Sequence, residues 1–153
     1  MQDFLGISYD AAKKVIMQFN QTPEFRAMTP ISGSKTALHS LSSKGVVAIT
    51  SRWDDLRDVT LEWIAKYFPC VKDVNFARNV HNFPDSSKKS KGELCLELGV
   101  KVMIEDFGGY ALDCASRGVT VLLPDKPWNK NVEHENIVRV HSWTEVLEYA
   151  IEI

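Results

Sequence analysis

The sequence predicts an α/β protein in which a mostly parallel sheet is covered by helices on both faces. Two observations carry this reading. Short apolar runs recur along the chain, at Val46-Val47-Ala48-Ile49, at Val102-Met103-Ile104 and over residues 119–123, each bounded by glycine or polar residues. Runs of that length between such boundaries read as strands buried on both faces rather than as helices. Between them lie stretches whose apolar residues recur at helical spacing, and strands that alternate with helices build a parallel, three-layer α/β/α sheet. With no internal repeat and no linker in 153 residues, one domain is expected.

The elements follow in order. Ser8 can cap a helix over residues 9–19, with Ala12, Val15, Ile16 and Phe19 along one side, and Thr22-Pro23 ends it. A second helix is expected over residues 34–43, with Ala37, Leu38 and Leu41 inward, closed by Lys44-Gly45. The first strand covers residues 46–49 and ends in Thr50-Ser51-Arg52. Asp54 or Asp55 opens a helix over residues 56–68, with Trp63 and Tyr67 read as core, and Pro69 stops it. Residues 73–77 are a short strand, and residues 78–89 a polar loop in which His81 and the lysines are solvated. A helix over residues 91–98 closes at Gly99, and the strand that follows runs into Glu105-Asp106-Phe107-Gly108-Gly109. A helix over residues 108–116, a strand over 119–123, a rigid loop over 124–129, an edge strand over 137–140 and a terminal helix over 143–151 capped by Ser142 complete the chain.

Composition excludes several classes of function. The net charge is −2, from 18 basic against 20 acidic residues, which gives no field for a nucleic acid polymer or an anionic membrane. No apolar run approaches the ~20 residues of a membrane span, and no signal peptide is expected, since no basic-then-apolar stretch stands before the first helix. Cys70, Cys95 and Cys114 lack the spacing of a zinc site or a disulfide framework, so a reducing, cytoplasmic setting is expected.

Two stretches carry candidate chemistry. Ligands of open α/β sheets bind beyond the carboxyl ends of the strands, which is where Glu105 and Asp106 fall. Adjacent carboxylates there could hold a hard cation such as Mg²⁺. Alternatively, Asp106 caps the helix that begins near Gly108 and Glu105 is merely solvated. Thr50 and Ser51 offer hydroxyls to an anion and Arg52 could fork a phosphate. Against this stands an ordinary turn with a helix cap, which Ser and Thr favour.

Taken together, Val46-Val47-Ala48-Ile49-Thr50-Ser51-Arg52, Lys91-Gly92-Glu93-Leu94-Cys95, Met103-Ile104-Glu105-Asp106, Val121-Leu122-Leu123 and Pro127-Trp128-Asn129 resemble the haloacid dehalogenase superfamily of phosphohydrolases. Within it the likeness is to the 5′-nucleotidase type C and deoxyribonucleotidase-like branch, over about residues 29–153. The resemblance implies a Rossmann-like core preceded by a small helical cap segment over residues 1–28. It implies that Thr50 and Lys91 serve catalysis by binding and neutralising the transferring phosphoryl group, that Ser51 and Arg52 contact the substrate, and that Glu105 and Asp106 hold Mg²⁺. The implied ligand is a small phosphorylated molecule, and a homodimer is left open. A flavodoxin-like module would leave Thr50, Lys91 and Trp128-Asn129 without a role.

The same resemblance calls for a first motif, an apolar strand ending in Asp-x-Asp whose first aspartate is the nucleophile. No such stretch exists in these residues: Asp3 and Asp10 have no partner acid two positions on, and Asp54-Asp55 follows the second motif. Phosphatase activity of this chain alone is therefore not expected, Mg²⁺ binding should be weak, and binding of a phosphorylated ligand or partner without turnover is the alternative. In the family the absent strand lies centrally, between those ending at Thr50 and Glu105. Unpaired backbone groups in mid-sheet are costly, so the gap is expected to close by direct pairing of those two strands, by a segment such as residues 1–7, or by a second chain.

Overall fold

A computed structural model describes residue 6, residues 8–79 and residues 88–152. The opening segment named above therefore lies almost wholly outside the described residues, as do His81 and the middle of the expected 78–89 loop. Helix α1 (Tyr9–Phe19) is followed by the short α2 (Pro23–Arg26) and by α3 (Ser34–Ser40). Strand β1 (Ala48–Thr50) leads through a 3-10 turn into α4 (Arg57–Tyr67), and β2 (Val74–Phe76) follows. The remainder is α5 (Lys91–Glu97), β3 (Val102–Ile104), α6 (Gly108–Ala115), β4 (Thr120–Pro124), β5 (Ile137–Val140) and α7 (Trp143–Glu152).

Every strand pairing is parallel, as expected, but the strands form two sheets. In one, β1 lies beside β2 with Ile49 opposite Asn75; in the other the order is β3-β4-β5, with Met103 opposite Val121 and Leu122 opposite Val138. Direct pairing of the strands that end at Thr50 and Glu105 does not occur. Leu38, Leu41, Ile64 and Phe68 of the first half and Trp143 and Ala150 of α7 wall the space between those edges.

Strand β4 shows why the second sheet is the core. Its residues alternate between faces, and both faces are covered. Val121 and Leu123 pack with Cys95, Ala111, Cys114 and Ala115 of α5 and α6, while Leu122 packs with Val140 and Val146 on the other side. These are the layers the sequence predicts. Strand β1 departs from expectation: its residues are only half-buried, because neither a second neighbouring strand nor a full helical layer closes over them. On the apolar side of α1, Ala12 is buried while Val15, Ile16 and Phe19 are exposed.

Local chemistry sets the element ends. The Ser8 hydroxyl accepts from the Ala11 amide at 3.3 Å, and Ser142 Oγ accepts from the Glu145 amide at 3.1 Å, so both expected caps form. Helix α5 has a capping box: Ser90 Oγ accepts from the Glu93 amide at 3.2 Å and Glu93 Oε2 accepts from the Ser90 amide at 2.6 Å. Gly92 lets this helix approach α6, since a Cβ there would stand 2.6 Å from the Asp113 carbonyl oxygen. Its amide donates instead to Asp113 Oδ2 at 2.7 Å.

Candidate functional site

The carboxyl ends of β1 and β3 open on one cleft of about 520 Å³, and Thr50, Ser51, Arg52, Lys91, Glu105 and Asp106 all line it. Three come from the first sheet's strand end and three from the second half of the molecule. Helix α1 contributes Ala12, Lys13 and Ile16 to the opposite wall, beside Phe25.

The two acids behave differently, and neither follows the capping alternative. Helix α6 has Phe107 as its N-terminal cap residue, with no side chain bonded to the first turn, so Asp106 is not a cap. Glu105 is not solvated either. It is buried, with 7% of its surface exposed, and its Oε2 lies 2.5 Å from Lys91 Nζ. Its Oε1 accepts from the Phe107 amide at 2.9 Å. Asp106 is exposed, and among the described residues its carboxylate receives no hydrogen bond. Its carbonyl oxygen is held by Asn129 Nδ2 at 2.9 Å and Trp128 Nε1 at 3.2 Å. The Trp128-Asn129 pair thus clamps the turn that presents the second acid.

Lys91 is buried at the start of α5, which the capping box and Gly92 place against α6. Its ammonium also lies 4.5 Å from the centroid of the Tyr110 ring, whose electron-rich face favours a cation. Burying a charged amine requires compensation of this kind.

The hydroxyls and arginine after β1 are more fully engaged. Thr50 Oγ1 accepts from the Arg52 amide at 3.2 Å, which leaves its own hydrogen available. Ser51 Oγ donates to the Arg78 carbonyl at 3.1 Å, and Asn79 Nδ2 donates to the Ser51 carbonyl at 2.8 Å. Arg52 Nη1 donates to Thr60 Oγ1 at 3.2 Å, and the guanidinium lies 5.2 Å from the centre of the Phe25 ring. Burial pulls its pKa below the ordinary value.

Mg²⁺ is the ion the resemblance implies, and the described residues do not make a complete site for it. Among them no three His, Cys, Asp or Glu side chains converge as a metal cluster, and one of the two acids at the cleft is committed to Lys91. Sequence reasoning missed Tyr110, the Phe107 amide, Asn79 and the α1 wall, because these come together only through packing. The Ser90 capping box was legible as Ser-x-x-Glu before an apolar helix.

The parallel pairing of the strands, with helices between them, is consistent with the Rossmann-like fold of haloacid-dehalogenase-like proteins. The chain belongs to the family described as "5' nucleotidase, deoxy (Pyrimidine), cytosolic type C protein", whose model matches residues 6–152. It is similar to "Putative nucleotidase YqfW" of Bacillus subtilis (strain 168), with 26% identity over 105 residues, which are 68% of this chain and 50% of that protein. The chain thus spans about half the length of the curated relative it matches. No solved structure matches it. No helix among the described residues is long and apolar enough to cross a membrane.

Proposed function

We propose that the cleft is the phosphate-holding part of a nucleotidase-type phosphomonoesterase site, and that residues 8–152 alone bind a phosphorylated small molecule without hydrolysing it. The observation that carries this reading is the meeting of Thr50, from one sheet, with Lys91, Glu105 and Asp106, from the other half, in one cleft. Phosphoryl transfer depends mainly on positioning and charge neutralisation. Thr50 supplies a donor, and Lys91 supplies a fixed positive charge that Glu105 and Tyr110 keep oriented toward the cleft wall. A phosphate entering beside Lys91 would compete with Glu105 for the ammonium, and Glu105 would turn toward the cleft. Asp106, exposed and without a hydrogen-bond donor on its carboxylate among the described residues, is the carboxylate that would accept a cation. Ser51 and Arg52 shape the wall, with Arg52 available to an anion only if it leaves Thr60.

Turnover by the route the resemblance implies needs a carboxylate nucleophile, and among the described residues that line the cleft the acids are Glu105 and Asp106. One is paired and the other stands where the resemblance puts a metal ligand. The alternative, an active enzyme, requires Asp106 or another acid to attack phosphorus.

The test is phosphate release from an aryl phosphate and from deoxynucleoside monophosphates, with and without Mg²⁺, compared with Asp106→Asn. Equilibrium binding of inorganic phosphate is measured on the same samples. Binding that Thr50→Val weakens by about tenfold, the scale of one hydrogen bond to a charged group, with no release above the Asp106→Asn control, supports the reading. Release that Asp106→Asn abolishes would overturn it in favour of an active enzyme.

A further inference from the structure

Cys95 on α5 and Cys114 on α6 are both fully buried, and their sulfurs lie 3.9 Å apart across the contact between the two helices. The contact is close because Gly92 carries no side chain: a Cβ there would stand 2.6 Å from the Asp113 carbonyl oxygen, and the Gly92 amide donates to Asp113 Oδ2 at 2.7 Å. The two cysteines, three positions after Gly92 and one after Asp113, therefore meet where the helices are pinned together. Ala111, Ala115, Val119 and Val121 pack in the same cluster. The cysteines stand nineteen positions apart in sequence, a spacing that signals nothing by itself, and helix packing supplies their proximity.

We propose that Cys95 and Cys114 are a reversible modification site, a dithiol that a small peroxide such as hydrogen peroxide closes into a disulfide joining α5 to α6. The Cys95 thiolate attacks one peroxide oxygen and the O–O bond breaks. Hydroxide leaves with the electron pair and takes up the Cys95 proton as water, and Cys95 becomes a sulfenic acid. The Cys114 sulfur then attacks the Cys95 sulfur, the S–O bond breaks, and the departing hydroxide takes the Cys114 proton as a second water. Two thiols are oxidised by two electrons, and one peroxide is reduced to two waters. Cys95 takes the first step because a hydrogen bond from Cys114, and more weakly the charge of Lys91, hold its thiol below the ordinary pKa, whereas the same bond and burial push Cys114 up.

Burial selects the reagent. Hydrogen peroxide is small and uncharged, and α5 has seven residues with Leu96 and Leu98 exposed beside it, so a local opening of this helix admits the oxidant. The sulfurs close from 3.9 Å to a bond of about 2.05 Å, which draws α5 and α6 together. In the reducing setting that the cysteine usage predicts, such a bond is transient, which suits a redox-responsive pair. Lys91 stands one turn before Cys95 on α5, and Tyr110 one turn before Cys114 on α6, with the ammonium 4.5 Å from the ring centroid. Closing the disulfide therefore resets this contact at the cleft wall. The proposal does not depend on what the cleft binds.

The test uses Cys70→Ser in the full 153-residue chain, which leaves the pair as its only thiols. Folded protein is treated with hydrogen peroxide, remaining thiols are alkylated in urea, and the chain is cut with trypsin. The expected result is an intact mass lower by two hydrogens, loss of both alkylatable thiols, and a disulfide joining the peptides of residues 92–101 and 102–117, all reversed by dithiothreitol. The same peptide pair is sought in the unsubstituted chain, so the outcome does not rest on how the variant folds. Cys114→Ala in the Cys70→Ser background should lose the bond and yield a Cys95 sulfenic acid that dimedone captures. The Tyr110 ring resonances, followed by NMR, should shift on oxidation and return on reduction. Two free thiols after treatment, oxidation to sulfinic acid without a cross-link, or a cross-link formed only in urea would overturn the proposal. A cross-link that leaves the Tyr110 resonances unmoved would overturn its effect on the cleft.

Discussion

The two sheets are made of similar residues and end differently. Strand β4 carries Val121, Leu122 and Leu123, all fully buried, whereas Ala48, Ile49 and Thr50 of β1 are each half-buried. The difference is neighbourhood. β4 has a strand on each side and packed helices on each face, while β1 has one strand and the cavity. An apolar run thus becomes core only where the elements around it close on all four sides, and burial is a property of the assembly rather than of the run. The cleft straddles this boundary, with its hydroxyl side on the half-buried sheet and its charged side on the core.

Four changes would break or sharpen that contrast. The largest expected effect is at the charged side. Lys91→Ala leaves Glu105 buried without its partner and should cost about 3–5 kcal/mol in urea unfolding, while Lys91→Met with Glu105→Leu should recover much of the loss. If the double change is as damaging as the single one, the pair is held by more than its own charge balance. Next comes a direct comparison of the sheets. Leu122→Ala should cost about 2–5 kcal/mol, as truncations in closed cores do, and Ile49→Ala clearly less because its site is partly open. Equal costs would show that β1 is as enclosed in solution as β4.

Ser90→Ala removes half of the capping box and should lower stability by about 1 kcal/mol, with Ser90→Asp restoring most of it in a thermal melt. The smallest effect concerns acid. Hydrogen bonding and charge from Lys130, together with Arg139, hold the Asp125 carboxyl below its ordinary range, against a smaller opposing desolvation. A depressed folded-state value means stability that is present above the unfolded value near pH 4 and is lost as pH falls through the folded one. Asp125→Asn should therefore flatten the acid limb of a stability-against-pH curve below about pH 4, leaving its neutral-pH slope unchanged.

How far the sequence could be read depends on which interactions decide each feature. Strands at residues 102–104 and 137–140, the helices begun by Ser8 and Ser142 and the stop at Gly99 were legible, because caps, glycine and apolar runs act within a few residues. The six cleft residues were legible as types at strand and helix ends, and the chain brings all six together. Their states were not. Nothing local distinguishes Glu105 from Asp106, yet one is buried against Lys91 and the other is open to solvent. That difference depends on α5 meeting α6 at Gly92.

By itself, then, the sequence determined the α/β class, the order and direction of its elements and the residue types at the cleft, since periodicity and end signals are short-range. The tertiary structure decided three things. It split the sheet in two, with a cavity between the edges of β1 and β3. It locked one acid into a buried ion pair while leaving its neighbour exposed, because only Glu105 points toward α5. It also set the Thr50 side of the cleft on the less enclosed half, because burial is shared among segments distant in sequence and no single segment encodes it.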